Sequence, residues 1–378
     1  MADSRAISNK LKDMFYLPGG VFYPFFLHVK NHTEQLAVCF RGNGTPEKIS
    51  IYHNNHIVWD LYEDGSGPKV AISFNHARYC KDWEEKRNEL GKLGFNIYNK
   101  EGEPISLKEA DTIGMLVCDF NKIKYSDSSY EFVIKTYGII MDMMRIFFEP
   151  KKIEDFDYFK KSFTKYKKNL AEKRWQQWIF NKLKNSYNGL FAYDLEFAQP
   201  GAQDEENTNE PDMLALRYKD GVPAAIVLVE VKSLYSACEP RKKKNGEKSS
   251  DIFEHINGMK KYSKSRNIQS RREEVSKILK DYSEMGLYVK DGQIIPSENN
   301  NLPIECVIIF TTADLVDIGY SIKSADSAIH YYLTNKEKID RICNPIDEHW
   351  HCDVYLVGEF AKNRKYPAGI YALPDDWK

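Results

Sequence analysis

The sequence predicts two mixed units in series, an α+β module over residues 1–150 and an α/β unit over residues 151–378. Three observations lead there. Residues 35–74 alternate short strand-like runs with turn residues. Apolar residues recur at helical spacing near 81–93, 129–148, 170–187 and 251–266. Between the second and third of these stripes, Glu149-Pro-Lys-Lys152 breaks the pattern.

In the first module the strand-like runs are Gln35–Arg41, Lys48–His53, His56–Tyr62 and Lys69–Phe74, with turns at Asn54-Asn55 and Asp64-Gly65. An amphipathic helix follows at about Lys81–Leu93, then a strand around Ile113–Phe120 and a long apolar-rich helix over Ser129–Phe148. No catalytic signature stands out. His53, His56 and His76 lack fixed ligand spacing and read as ordinary core or surface residues. Gly65-Ser-Gly-Pro-Lys69 lacks both the spacing of a phosphate loop and the Ser/Thr after its lysine. Recognition, regulation or self-association is the expected role of this module.

The second unit opens with a helix over about Leu170–Tyr187, where Trp175, Ile179, Phe180, Leu183 and Tyr187 form one stripe. Glu172 falls within that stripe; its alternative is a solvent-facing first-turn acid favoured by the helix dipole. A strand is expected at 193–198, then an acidic, turn-rich loop, Gln203–Glu210. Pro211-Asp212 opens a strand over 212–218, Lys219-Asp220-Gly221 turns the chain, and Ala225–Lys232 forms the return strand. Alternate side chains of a strand share a face, so Glu230 and Lys232 point one way and Val227, Val229 and Val231 the other. An unpartnered buried charge is costly. Either Glu230 and Lys232 pair with each other, or Asp212 and Glu230 bind a divalent metal. A helix over about 251–266 follows, with Ile252, His255, Ile256, Met259 and Tyr262 on one face. Strands at Glu305–Thr311 and Cys352–Gly358 complete the unit, whose first six elements run αβββαβ.

Pro211-Asp212, then Glu230-Val231-Lys232 after seventeen residues, resembles the motif of the PD-(D/E)xK nuclease superfamily, and the element order resembles its restriction-endonuclease-like core with a mixed central sheet. The resemblance implies that Asp212, Glu230 and the Val231 carbonyl bind Mg²⁺, with Mn²⁺ able to substitute. Lys232 would orient or deprotonate the attacking water and offset charge at the scissile phosphate. Glu172 matches the glutamate that many members carry on the helix before the sheet. His255 and Tyr262 take the position of accessory residues beside the metal, where many relatives have glutamine; core packing is the alternative for both. Glu196 or Glu210 would be outer-sphere ligands, the alternative being solvated loop acids. The residue types suit this chemistry, because Mg²⁺ prefers oxygen ligands and keeps several waters.

Composition limits the rest. Apolar residues at 42% and charged residues at 29% describe an ordinary globular chain. Neither a secretory signal nor a membrane-spanning run is expected. The 7 cysteines show no C-x-x-C spacing, which points to reduced thiols and a cytoplasmic protein. Cys343, His349, His351, Cys352 and Asp353 lie close in sequence, but adjacent His351 and Cys352 would point to opposite faces, so packing is preferred to zinc. Trp350 and Trp377 likewise read as packing. The net charge is −1, yet Glu239–Lys280 holds thirteen Lys or Arg against six Asp or Glu, a net of +7. Within it, Lys242, Lys243, Lys260, Lys261, Lys264 and Arg266 are expected to contact nucleic acid phosphates. DNA is the expected partner ahead of RNA, in a nuclease of the restriction or anti-phage defence kind; such nucleases often pair to cut both strands, which leaves a homo-oligomer or a monomer open here.

Overall fold

A computed structural model describes residues 5–42, 44–53, 55–73, 83–98, 115–120, 127–148, 172–173, 175–183, 189–195, 211–240, 251–264, 267–290, 292–312, 326–345, 350 and 352–357. The chain divides into two compact units, Met1–Asp155 and Phe156–Lys378. Both mix helices with a sheet.

In the first unit, α1 (Asn9–Tyr16) and α2 (Tyr23–Asn31) precede β1 (Leu36–Arg41), β2 (Lys48–His53), β3 (His56–Asp64) and β4 (Gly67–Ser73). Then come α3 (Trp83–Lys92), β5 (Phe95–Tyr98), β6 (Met115–Asp119) and α4 (Asp127–Phe148). The sheet order is β1-β2-β3-β4-β6-β5, with every pair antiparallel. Ser8 caps α1 by accepting from the Leu11 N–H, and Asn55 turns β2 into β3 in the left-handed region at φ 57°. Aromatic rings hold α2 and α4 to the sheet: Phe25 of α2 lies 5.1 Å from Trp59 and 6.4 Å from Phe132. Of the segment 65–69, Gly65 and Ser66 form the β3–β4 turn, where Asp64 accepts from the Ser66 N–H, and residues 67–69 open β4. His53 Nδ1 lies 3.0 Å from the Tyr137 hydroxyl, which gives that histidine a structural partner. His76 falls outside the described residues.

The second unit begins with a helix, α5, over 175–183, with 172–173 also helical. It continues through β7 (Gly189–Leu195), β8 (Met213–Lys219), β9 (Val222–Lys232) and the short α6 (Tyr235–Cys238). After α7 (Ile252–Ser263) and α8 (Asn267–Glu284) come β10 (Ile304–Thr311), α9 (Ala328–Thr334), α10 (Lys336–Cys343) and β11 (Cys352–Val357). The sheet is mixed, in the order β11-β10-β9-β8-β7: β7, β8 and β9 run antiparallel, while β9, β10 and β11 run parallel. Asp220 and Gly221 sit at φ 54° and 76°, the two left-handed positions of a two-residue hairpin turn, and Lys219 pairs with Val222 across it.

Three expectations need correcting. The strand expected at 193–198 starts earlier, at Gly189, because Leu190–Leu195 are buried on both faces and show no alternation. Helix α8 lies where the sequence offers only a basic stretch, yet it buries Val275, Ile278, Leu279 and Tyr282. Helix α7 ends at Ser263 rather than at 266.

Side-chain bonds fix the helices to the sheet. Trp175 of α5 donates its indole N–H to the Thr312 carbonyl, just past β10, at 2.9 Å. Tyr282 of α8 donates to the Tyr193 carbonyl of β7 at 3.2 Å. On the face of β9 opposite Glu230, Arg217 bridges to Glu305 of β10 at 2.5 Å and Asp353 of β11 at 2.6 Å. Burial would lower its pKa, but Tyr355 and Glu305 raise it further. Asp353 is therefore a cross-strand anchor.

Candidate metal and nucleic-acid site

The hairpin register sets the site. Met213 pairs with Val229, so the next step outward brings Asp212 opposite Glu230. Asp212 Oδ2 accepts from the Val231 N–H at 2.7 Å. In an extended strand the N–H and C=O of one residue point to the same flank, so the Val231 carbonyl faces the Asp212 side as well.

Glu230 is 2% exposed and Lys232 5%. Their charged ends lie 2.5 Å apart, and His255 Nδ1 of α7 lies 2.9 Å from the same oxygen, Glu230 Oε1. The His255 approach is close but off the line of a good hydrogen bond. Glu172, one turn before Trp175, completes the group: the Trp175–Thr312 bond brings this helix to the carboxyl end of β10, beside the end of β9. There Glu172 acts electrostatically on Asp212, Lys232 and Cys238.

The electrostatics follow from this crowding. Burial pushes the Asp212 carboxyl well above its ordinary value; Glu230 and Glu172 add to the rise and Lys232 opposes it. Burial works the same way on Glu230, but Lys232 and His255 outweigh it and hold that carboxyl down at about 2. For Lys232 burial works downward, and Glu230, Glu172 and Asp212 together raise it above its ordinary value. A lysine so firmly protonated can orient a water and offset charge. Three acids around one lysine leave an excess of negative charge, which acts in the same upward direction as burial on the Asp212 carboxyl.

The donor set fits a hard divalent cation. Two carboxylates and one carbonyl supply only oxygen, and water would fill the remaining positions. Among the described residues no group of three or more His, Cys, Asp or Glu side chains is placed to hold a metal ion. The set here uses two side chains and a backbone oxygen.

The other expected residues distribute unevenly. Tyr262 is fully buried two turns beyond His255 and lies near Tyr193, so it packs against β7. Lys261 and Lys264 are exposed, whereas Lys260 lies over the Trp350 ring at 5.5 Å and so belongs partly to packing. Lys242, Lys243, Arg266, Glu196 and Glu210 fall outside the described residues, as do His349, His351 and Trp377. Cys343 and Cys352 are buried and adjacent, and the neighbour that sequence proximity missed is Cys306 of β10, the register partner of Cys352. Tyr235 and His330 also escape sequence reasoning, although Tyr235 follows Lys232 by only three residues.

No family model matches the chain, and neither does any curated protein or solved structure. No helix among the described residues is long and apolar enough to cross a membrane.

Proposed function

We propose that the second unit is a Mg²⁺-dependent nuclease of the PD-(D/E)xK kind, hydrolysing phosphodiester bonds in DNA. One observation carries the reading: Asp212, Glu230, Lys232 and Glu172 converge at the carboxyl end of β9, with Asp212 bonded to the backbone of Val231. The mixed sheet supports it, in an order α5-β7-β8-β9-α6-α7-α8-β10 that adds α6 and α8 to the expected core, since open sheets with parallel strands bind ligands at their carboxyl ends.

In this reading Asp212, Glu230 and the Val231 carbonyl hold the cation. When bound, Mg²⁺ polarises a phosphoryl oxygen and lowers the pKa of a coordinated water. Lys232 remains a cation, orients that water and offsets charge at the phosphate. His255 restrains Glu230, and Glu172 supplies further negative charge beside Asp212. Lys261 and Lys264 of α7 contact phosphates outside the centre. The first unit contributes recognition, regulation or self-association, and a cytoplasmic defence or restriction role fits a DNA-cutting protein.

The test is cleavage of plasmid and linear DNA by purified protein with Mg²⁺ or Mn²⁺. Asp212→Asn, Glu230→Gln and Lys232→Met should each abolish it while circular dichroism stays native. Activity persisting in all three variants would place the active centre elsewhere. Preferential cutting of RNA would change the substrate. Binding without cutting under either metal would identify a silent nucleic-acid-binding protein, a reading that the pairing of Glu230 with both Lys232 and His255 favours.

A further inference from the structure

The chain leaves β9 at Lys232 and turns at once into α6. An isolated bridge between Leu234 and Ser327, with the Ala328 N–H donating to the Ser233 carbonyl at 3.1 Å, brings the start of α9 alongside. Three rings meet there. Tyr235 stands edge-on to buried Tyr331, with centroids 4.9 Å apart, and is tilted 37° to His330 at 5.9 Å. Tyr235 is partly exposed and His330 is exposed. The cluster adjoins the ionic centre through Cys238, whose thiol senses Lys232, Glu172 and Glu230 on one side and acts on Tyr331 on the other.

We infer that Tyr235 and His330 form a stacking platform for an unpaired nucleobase next to the cleavage site. Three features favour a base over a phosphate. The accessible side chains are aromatic rings, and a ring offers a base a surface to stack on whatever its identity. Tyr331 is packed against Tyr235 and fixes that ring. Glu239 and Asp251 lie near Tyr331 and would repel a phosphate, while an uncharged base tolerates them. Lys232 and Tyr235 are three residues apart, so the platform lies within about 10 Å of the lysine along the chain. A duplex keeps its bases stacked inside, so the platform selects single-stranded or frayed substrate. This rests on the nuclease reading above and names the substrate class of that site.

The experiment measures fluorescence anisotropy of a labelled oligo-dT strand, an oligo-U strand and a hairpin duplex, with Ca²⁺ in place of Mg²⁺. The expected result is tighter binding of the single strand than of the duplex, weakened about tenfold by Tyr235→Ala and also weakened by His330→Ala, and retained by Tyr235→Phe. Equal binding of strand and duplex, or unchanged affinity in both alanine variants, overturns the platform. Oligo-U bound as tightly as oligo-dT supports it and shows that the ring faces read no sugar. His330 is exposed, so its variant stands as the control if Tyr235→Ala misfolds. The readout is binding, so the two readings fail separately: a protein that cuts nothing but shows the Tyr235 effect loses only the nuclease assignment.

Discussion

His28 and Glu230 are buried polar groups, one in each unit, and they meet burial in opposite ways. His28 is 4% exposed, between His32, Trp59 and Tyr137, and neither of its ring nitrogens has a hydrogen-bond partner among the described residues. Burial, then the neighbouring His32, lowers its pKa to about 4, so the ring is neutral at ordinary pH. Glu230 keeps its charge because Lys232 and His255 stand beside it. A lone imidazole can shed its proton and become a core ring. Carboxylates gathered around one lysine cannot all be neutralised so easily, and that residual charge is what the proposed cation site rests on. Topology agrees: among the described strands, the antiparallel sheet has no edge where parallel strands end together, and the mixed sheet does.

The largest expected effect separates pairing from charge. Glu230→Ala leaves Lys232 buried without its partner, and urea denaturation should show a loss of about 3–5 kcal/mol. Glu230→Gln, which retains a hydrogen-bonding oxygen, should lose clearly less. Equal losses would mean that the ion pair is not what holds this corner.

Next comes the first unit's response to acid. The folded ring refuses a proton that the unfolded chain accepts below its ordinary pKa of 6.5. Stability is therefore full above pH 6.5 and falls as pH drops toward 4, by about 3 kcal/mol at the end of that window. Trp59 fluorescence during denaturation reads this, and His28→Phe should flatten the slope. An unchanged slope in the variant would clear His28 of the effect.

A smaller change is expected at Asp212. Its raised pKa means that ionisation at neutral pH works against folding, so Asp212→Asn should stabilise the metal-free protein by on the order of 1 kcal/mol, about 2–4 °C in Tm. The same variant should lose both cleavage and the Tm rise that Mg²⁺ gives the wild type. Calorimetry in buffers of different ionisation enthalpy should also show protons released as Mg²⁺ binds to the wild type. Destabilisation by Asp212→Asn would show that its bond to the Val231 N–H outweighs its burial.

Smallest is the basic helix face. Neutralising Lys261 or Lys264 should reduce the slope of log affinity against log salt by about 0.9 for each phosphate that the side chain had neutralised. No change in slope would remove α7 from the nucleic-acid path.

How far the sequence reveals all this depends on how local each feature is. The β8–β9 hairpin is readable because Asp220-Gly221 and the alternation of β9 are short-range signals. Glu172 is readable because three residues of helix tie it to Trp175. Helix α8 hid its apolar stripe among charges such as Arg271, Arg272, Glu273 and Glu274, and β7 hid its ends because both of its faces are buried. The meeting of Tyr235 with His330, and of Cys306 with Cys352, depends on chain crossovers that no local pattern encodes.

The turn at Asp220-Gly221 lies about 30 Å from Glu230 if β9 is fully extended. Even so, its length decides which residue of β9 Asp212 meets. One inserted residue, unless absorbed locally, would slide β8 by a single pleat and send the first acid to the wrong side of the ribbon. Tolerance to insertion there should consequently be poor, although the loop is exposed and distant from any chemistry.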